Sequence, residues 1–575
     1  MTIIDLSGEI PADAFDPVLD AWHAREWTSR PGFLQVEGWV AQAVAISGLA
    51  GWVLRRPLSD EALYGTGESF IGLNLRGRER ILINRETNGA GRVDLAYLNV
   101  PFLWSDAGWG LLVDTGAPVF MDLSDDATVV IVDPDPSVRA LAGTPREMLG
   151  EYALATGRVP DDWPDWAFGT WMSRATYINA DELHAVVDDL QKADCPIDVI
   201  HVDAWMTGNV FRDFTTNWEV DRQRFPHGWT ESLRAKGVRT SMWLNPFIKA
   251  GTALADDLHS RGLLLRTTSG EPATTCDRDY RHLVDFTNPA AVAWWQDTIR
   301  ALLASDAPDA LKLDFAEEVP PDAVCFDGRP ALLIRNSYAA MYQRATREVA
   351  DLPFFCRSGS VGSQVAPCHW VGDTPATWEG MAGALAACLS VSASGFGLVT
   401  SDGGGFHSRG TSRIPATLLD GGEAAFTAEV EPELYCRWAQ LAALSPVTRF
   451  HGLGMREPTA YPEPWRSAAI TALQMRRGLL PDLRRALVQA RETGLPVMRP
   501  MALMTEDPQG RRADEQYFLG DDILVGPILR RGGGARVWLP EGGWEPLLGS
   551  PVLSGSVGWV DVECGPEDYP AFRRV

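Results

Sequence analysis

Up to about residue 160, short alternating or apolar runs follow one another: GFLQVEGWVAQAVAIS, GWVLRRPL, GWGLLVDT, PVFMDL and ATVVIV. Gly, Asp, Asn and Pro turns separate them. Side chains on a strand alternate between two faces, so runs of this length bounded by turn residues predict strands. Helical periodicity is scarce there, and residues 1–160 are read as an N-terminal β-sandwich domain.

The rhythm changes after the Pro- and Trp-rich stretch VPDDWPDWAFG. Strand WAFGTWMS leads to helix ADELHAVVDDLQKA, strand IDVIHVD, helix GWTESLRAKG and strand RTSMWLN. Helix PAAVAWWQDTIRALLA, strand ALKLDF, helix RPALLIRNSYAAMYQRATREVA and strands LPFFCRSG and CHWVGD come next. A helix through MAGALAACLSVSA then enters strand GFGLVTSD. Repeated β-then-α units predict a parallel sheet, closed as a (β/α)₈ TIM barrel, so the fold class is α/β. A doubly wound open sheet is the alternative, but no GxGxxG follows the first strand. A long helical pattern interrupted by Pro481 ends the barrel region, 161–495. Beyond it, 496–575 returns to short strands and predicts a small C-terminal β domain.

Composition narrows the function. An apolar fraction of 45% supplies ample core. With 51 Lys and Arg against 76 Asp and Glu, the net charge of −25 disfavours phosphate backbones and anionic membranes. No nucleic-acid or membrane partner is expected, and a homo-oligomer stays open. MTIIDLSGEIPADAF has no secretory pattern, and no apolar stretch is long enough to span a bilayer. Eight Cys, scattered without CxxC spacing, fit reduced thiols and a cytoplasmic location. The 22 Trp suit either core or the flat faces on which sugar rings stack.

A parallel barrel works at the C-terminal ends of its strands, so polar residues there carry most information. Asp203 ends HVD, Trp243 and Asn245 sit in MWLN, and Asp314 closes LKLD. Arg357 follows FFC, Asp373 follows HWVG, Asp402 ends VTSD, and Arg449 with His451 lies in VTRFHG. Acids, arginines, a histidine and a Trp at one mouth suit cleavage of a glycosidic bond. Two carboxylates suffice for that reaction, one ionised and one protonated. No HxH, HExxH or GxSxG points to metal or serine chemistry, so no metal and no cofactor are expected.

KLDFAEEVP (312–320) resembles the nucleophile motif of glycoside hydrolase family 31, most closely its α-xylosidase-like branch. HWVGDTPATWEGM (369–381) resembles the acid/base segment of that family. LYGTGESF, AYLNVPFLWSDAGWGLLVDT, AFGTWMS, IHVDAWM, MWLNPFI, VDFTNP, CRSGSVGSQVAPCHW, GFGLVTSDGGGF, SPVTRFHG and EQYFLGDDILVGPI match other family segments in the right order.

The resemblance implies Asp314 as nucleophile and Asp373 as general acid/base. Asp203, Arg357, Asp402 and His451 would bind sugar hydroxyls, Trp243 and Trp370 would wall the pocket, and Phe315 would lie beneath the ring. Lys312, two residues before Asp314 and so on the same strand face, would hold the nucleophile ionised. Glu317 would stand behind the nucleophile. The plain alternatives are a barrel-interior ion pair for Lys312, an Arg357–Asp402 pair, and a satisfied core histidine at His451.

Departures from the family pattern leave the sugar open. Ala316 replaces a Gly, Thr176 stands where an aromatic is usual with Arg174 nearby, and the stretch after Asp203, carrying Trp205, is a residue short. The segment at about 407–431 is longer than in that branch. The resulting expectation is a retaining, exo-acting α-glycosidase for α-linked xylose or glucose in small saccharides or glycosides. A transglycosylase, a glycosidase for an unusual sugar (galactose-type or sulfonated), and a non-catalytic carbohydrate-binding protein are the alternatives.

Overall fold

The structure, a computed structural model, describes residues 17–87, 96–175, 177–208, 216–275, 281–407 and 430–575. Thr176 and nearly all of the segment 407–431 therefore lie outside the described residues.

The centre of the molecule is an eight-stranded parallel sheet. Its strands are β1 (Thr170–Met172), β2 (Val199–Val202), β3 (Arg239–Leu244) and β4 (Ala310–Leu313). β5 (Phe354–Cys356), β6 (Cys368–Trp370), β7 (Leu398–Thr400) and β8 (Thr448–Arg449) complete it. Each strand pairs in parallel with the next from β1 to β7, and β8 pairs with β1. The ring closes between β7 and β8 through a parallel bridge, Gly403 to Phe450, in which the Gly403 N–H donates to the Arg449 carbonyl at 2.8 Å. The expected (β/α)₈ barrel is thus present, and the open doubly wound sheet is not.

The helices follow local rules. In Ala180–Lys192, Asn179 caps the first turn by accepting from the Glu182 N–H at 2.9 Å. Leu183, Val186, Val187 and Leu190, at helical spacing, are the buried stripe. In Pro289–Asp306, Asn288 caps and Pro289 opens the helix, where a missing N–H costs nothing.

Two expectations change, and the break expected at Pro481 takes a definite form. The single helix expected over 329–350 is a 3₁₀ turn, Ala331–Ile334, followed by a helix, Tyr338–Arg347. Between them Asn336, fully buried, turns its amide into the sandwich, donating to the carbonyls of Leu82 at 2.8 Å and Ala117 at 3.2 Å. The pattern around Pro481 is two helices, Trp465–Arg476 and Leu480–Thr493, because a proline without N–H fits a first turn. A helix at Pro145–Thr156, with a Thr144–Glu147 capping box, also interrupts the β-rich N-terminal region.

Before the barrel, antiparallel sheets of six and four strands pack over a core including Leu54, Leu63, Leu103, Val113 and Ile131. After it, Met498–Pro500 to Tyr569–Arg574 form antiparallel sheets of five and three strands. The sandwich is bonded into the barrel. Trp104 Nε1 donates to the Ala393 carbonyl at 2.7 Å, and the Gly67 N–H donates to Ser394 Oγ at 2.8 Å. Six of the seven described cysteines are buried, and none of the seven is paired among the described residues. No helix among the described residues is long and apolar enough to cross a membrane.

Candidate active site

Asp314 follows β4 directly, and its carboxylate meets two hydrogen-bond donors and two cations. Trp243 Nε1, from β3, donates to Oδ2 at 2.8 Å, and Lys312 Nζ approaches the same oxygen at 3.3 Å. Arg357 Nε lies 3.2 Å from Oδ1, which also accepts from the Phe315 N–H at 2.8 Å. Burial alone would raise this carboxyl, but Arg357, Lys312 and the Trp243 hydrogen bond outweigh it and hold it below the usual carboxylate range. Asp314 is thereby kept anionic.

Asp373, in the loop after β6, has the opposite character. Its contact with Arg357 Nη1 is long, 3.7 Å. Burial pushes its pKa well above the ordinary value; Arg357 opposes the shift, while Asp314, Glu86 and Asp402 add to it. One guanidinium therefore touches two carboxyls of opposite protonation tendency. Such a separation of paired acids is what acid/base assignment requires.

Arg357 itself is fully buried, stacked 4.2 Å from the Phe315 ring and 4.5 Å from the Tyr97 ring. It pairs closely with Glu317 and, at 3.0 Å, with Glu86. Glu317 also accepts from the Ser358 hydroxyl. Burial raises Glu317 to about 8 despite Arg357. Glu317 thus stands behind Arg357 rather than in the mouth.

A second network surrounds Asp203. Lys312 Nζ lies 3.4 Å from Oδ1 and His451 Nε2 lies 3.2 Å from Oδ2. His201 Nε2 contacts Oδ1 at 2.6 Å. Burial raises Asp203, yet Lys312, His451 and His201 together hold it well below the carboxylate range. Burial lowers both histidines, His201 to about 4, while Asp203 opposes that shift. Ser241 and Ser173 hydroxyls, each at 2.9 Å from Nδ1, orient them. Lys312 bridges the two networks, and the strand alternation expected for it places its side chain with Asp314.

Other expected residues fall differently. Asp402 does not pair with Arg357; it pairs with Arg449, whose guanidinium lies over Phe355 at 4.6 Å and Trp370 at 5.1 Å. Burial raises Asp402 to about 6 against that pairing. Trp370, expected at a pocket wall, is fully buried on β6 between Lys312 and Arg449, because strand alternation turns its ring into the barrel. Trp205 is fully buried too, donating to the Trp243 carbonyl at 2.9 Å. Arg174, near the departure from the family pattern at Thr176, is buried and paired with Glu457 at 2.8 Å and Glu182 at 2.9 Å. Asn245 is a turn residue, accepting from the Phe247 N–H at 3.0 Å.

Phe315 and Ala316 have φ of 60° and 85°, the left-handed region that L residues avoid. That conformation turns the chain sharply after Asp314, and it explains why a Gly suits position 316. Gly372 has φ of 67°, and a Cβ there would lie 2.0 Å from Tyr97 Cε2. The glycine before Asp373 is thus favoured twice, by its left-handed backbone and by the sandwich side chain packed against it.

Glu86, Tyr97 and His201 were not found by sequence reasoning. His201 was legible in principle, two residues before Asp203 on one strand face. Glu86 and Tyr97 carried no signal, since only the docking of the sandwich brings them to the mouth.

With the geometry in place, comparison with known proteins identifies the family. Residues 160–485 match the glycosyl hydrolases family 31 TIM-barrel domain. Residues 494–575 match the family's C-terminal domain, and residues 54–122 its N-terminal galactose mutarotase-like domain. The chain is 29% identical to an α-xylosidase of Emericella nidulans over 521 residues, covering 87% of this chain and 62% of that one. It is 29% identical to an α-xylosidase of Lactiplantibacillus pentosus over 549 residues, covering 90% of this chain and 67% of that one. The chain thus spans about two thirds of the length of these two relatives. The solved cycloalternan-degrading enzyme from Trueperella pyogenes superposes with a TM-score of 0.83 at 24% identity, covering 96% of this chain and 85% of that one. That likeness is one of fold. Because the TIM-barrel match spans more than half of its length, the chain belongs to glycoside hydrolase family 31.

Proposed function

We propose that the protein is a retaining, exo-acting α-glycoside hydrolase that releases non-reducing-end α-linked xylose or glucose from small saccharides or glycosides. The observation that carries this reading is the Arg357 guanidinium in contact with an anionic Asp314 and a proton-retaining Asp373.

Asp314 attacks the anomeric carbon as the bond to the leaving oxygen breaks, and Asp373 passes its proton to that oxygen. The product is a covalent glycosyl-enzyme on Asp314. Asp373, now a carboxylate, takes a proton from water as the water oxygen displaces Asp314, which restores both groups. Asp203, Lys312 and His451 present fixed acceptors and donors to sugar hydroxyls. The α-xylosidase relatives favour xylose first, although nothing in the Asp203 network is specific to a five-carbon sugar.

The test is a panel of p-nitrophenyl α-xyloside, α-glucoside, α-galactoside and a sulfonated sugar, with the first-formed anomer followed by NMR. An α-anomer released first supports retention, and a β-anomer released first overturns it. Product analysis with an added sugar acceptor separates hydrolysis from transglycosylation.

A further inference from the structure

Glu86 belongs to the N-terminal sandwich, yet its side chain ends at the barrel mouth. Its place is fixed two residues earlier. Asn84 donates its N–H to Asn336 Oδ1 at 2.8 Å and its amide to the carbonyls of Asn336 at 3.2 Å and Gly359 at 2.9 Å. Gly359 lies two residues after Arg357, so the two segments meet in step: Asn84 on Gly359 and Glu86 on Arg357. Leu98 makes a further backbone bridge to Gly359.

Around the Glu86 carboxylate, the Tyr97 hydroxyl donates to Oε1 at 2.8 Å and Arg357 Nη2 to Oε2 at 3.0 Å. The Glu86 N–H is held by Glu318 Oε1 at 2.6 Å. The side chain is only 9% exposed, so its ion pair with Arg357 is poorly screened by water. Arg357 is also, among the described residues, the one cation in ion-pair contact with Asp373.

We propose that Glu86 is a positioning residue for the acid/base step: it fixes Arg357 and offsets its charge, so that Asp373 keeps its proton until the leaving oxygen takes it. The proposal rests on the catalytic roles given above to Asp314 and Asp373.

The charges around Arg357 favour Glu86 for this task. Asp314 is spent as the nucleophile's anion. Glu317, the nearest carboxyl to Arg357, is fully buried and shared with the Ser358 hydroxyl, and burial pushes its pKa up against that pairing. Glu86 accepts hydrogen bonds on both oxygens, from the Tyr97 hydroxyl and from Arg357 Nη2, the latter reaching it from the mouth side of the barrel. Of the remaining groups, His407 is neutral through burial, and Tyr97 is held well above its ordinary value by burial. Asp402 faces Asp373 from β7 but is matched by Arg449. Without the Glu86 charge, Arg357 would bear more fully on Asp373 and favour its loss of the proton.

The test compares the pH dependence of kcat/KM for the wild-type protein, Glu86→Gln and Glu86→Asp. Each is assayed with a p-nitrophenyl and an alkyl α-glycoside of the preferred sugar. In Glu86→Gln, which keeps the shape and removes the charge, the alkaline limb is expected to move down by about one pH unit. The alkyl glycoside, which needs the proton more, should lose about tenfold more rate than the aryl one. Glu86→Asp keeps the charge at a longer distance, and its limb should move the same way by less. An alkaline limb that stays at its wild-type position in Glu86→Gln overturns the proposal. If circular dichroism finds that variant unfolded, an unmoved limb in Glu86→Asp overturns it instead. Asp314→Ala separates the two readings. If Asp314→Ala retains turnover, the catalytic assignments fail; if it is inactive and the limb is unmoved, only the role of Glu86 fails.

Discussion

Arg357 places Nε 3.2 Å from Oδ1 of Asp314, and the same guanidinium reaches Asp373 with Nη1 at 3.7 Å. The extended, planar guanidinium is thus in ion-pair contact with both carboxyls at once, which the compact point charge of a lysine ammonium would not reproduce. Arg357→Lys should therefore keep a positive charge and still lower kcat by roughly 10²-fold, because small misplacement of reacting groups is costly. Steady-state kinetics with the preferred aryl glycoside would check this, and a kcat within a factor of two of wild type would contradict it.

The two aspartates should fail differently. Asp314→Ala should reduce turnover of every α-glycoside by about 10⁴-fold or more, since no covalent intermediate forms. Asp373→Ala should slow alkyl glycosides by about 10²–10⁴-fold, and formation of the glycosyl-enzyme from activated aryl glycosides far less. Burst kinetics distinguish the cases. Equal loss on both substrate types would remove the acid role from Asp373.

The pH dependence follows from the signs. Asp314 must be ionised, and its pKa is held below the usual carboxylate range, so activity should persist as pH falls to about 4. Asp373 must be protonated, and its pKa is raised well above that range, so activity should be lost only as pH rises through the elevated value. A kcat/KM profile with a single acid limb near the ordinary carboxylate pKa and no alkaline limb would contradict both assignments.

Gly372→Ala should be severely destabilising. The added Cβ would lie 2.0 Å from the Tyr97 ring, and φ is 67° at that position. Overpacking and left-handed strain together predict about 2–4 kcal/mol, read as a lowered chemical-denaturation midpoint. Adding Tyr97→Ala should recover part of the loss, so strict additivity in the double-mutant cycle would refute the contact.

Arg174→Ala should change stability and not sugar choice. Its guanidinium is buried between Glu457 and Glu182, and removing one partner of a buried pair costs about 3–5 kcal/mol. The order of rates across the p-nitrophenyl glycoside panel is expected to match wild type. A reordered panel would restore Arg174 as a specificity residue.

Much of this was legible in sequence because strand periodicity is short-range. Lys312 and Asp314 share a face by alternation, and the capping and proline signals of the barrel helices are read within a few residues. The same local reading misjudged residues whose surroundings come from elsewhere. Arg174 is buried by a partner, Glu457, 283 positions away, and Trp370, expected at a pocket wall, is enclosed by Lys312 and Arg449.

The β/α alternation, the strand-end acids and the ordered family motifs are all properties of residue order along the chain. Which charges meet depends instead on packing in three dimensions. Coulomb interaction and burial depend on distance in space, so the low pKa of Asp314 and the high one of Asp373 arise only after β4, β5 and β6 align beneath one guanidinium. For the same reason Glu86, distant in sequence and on another domain, became part of that charge balance.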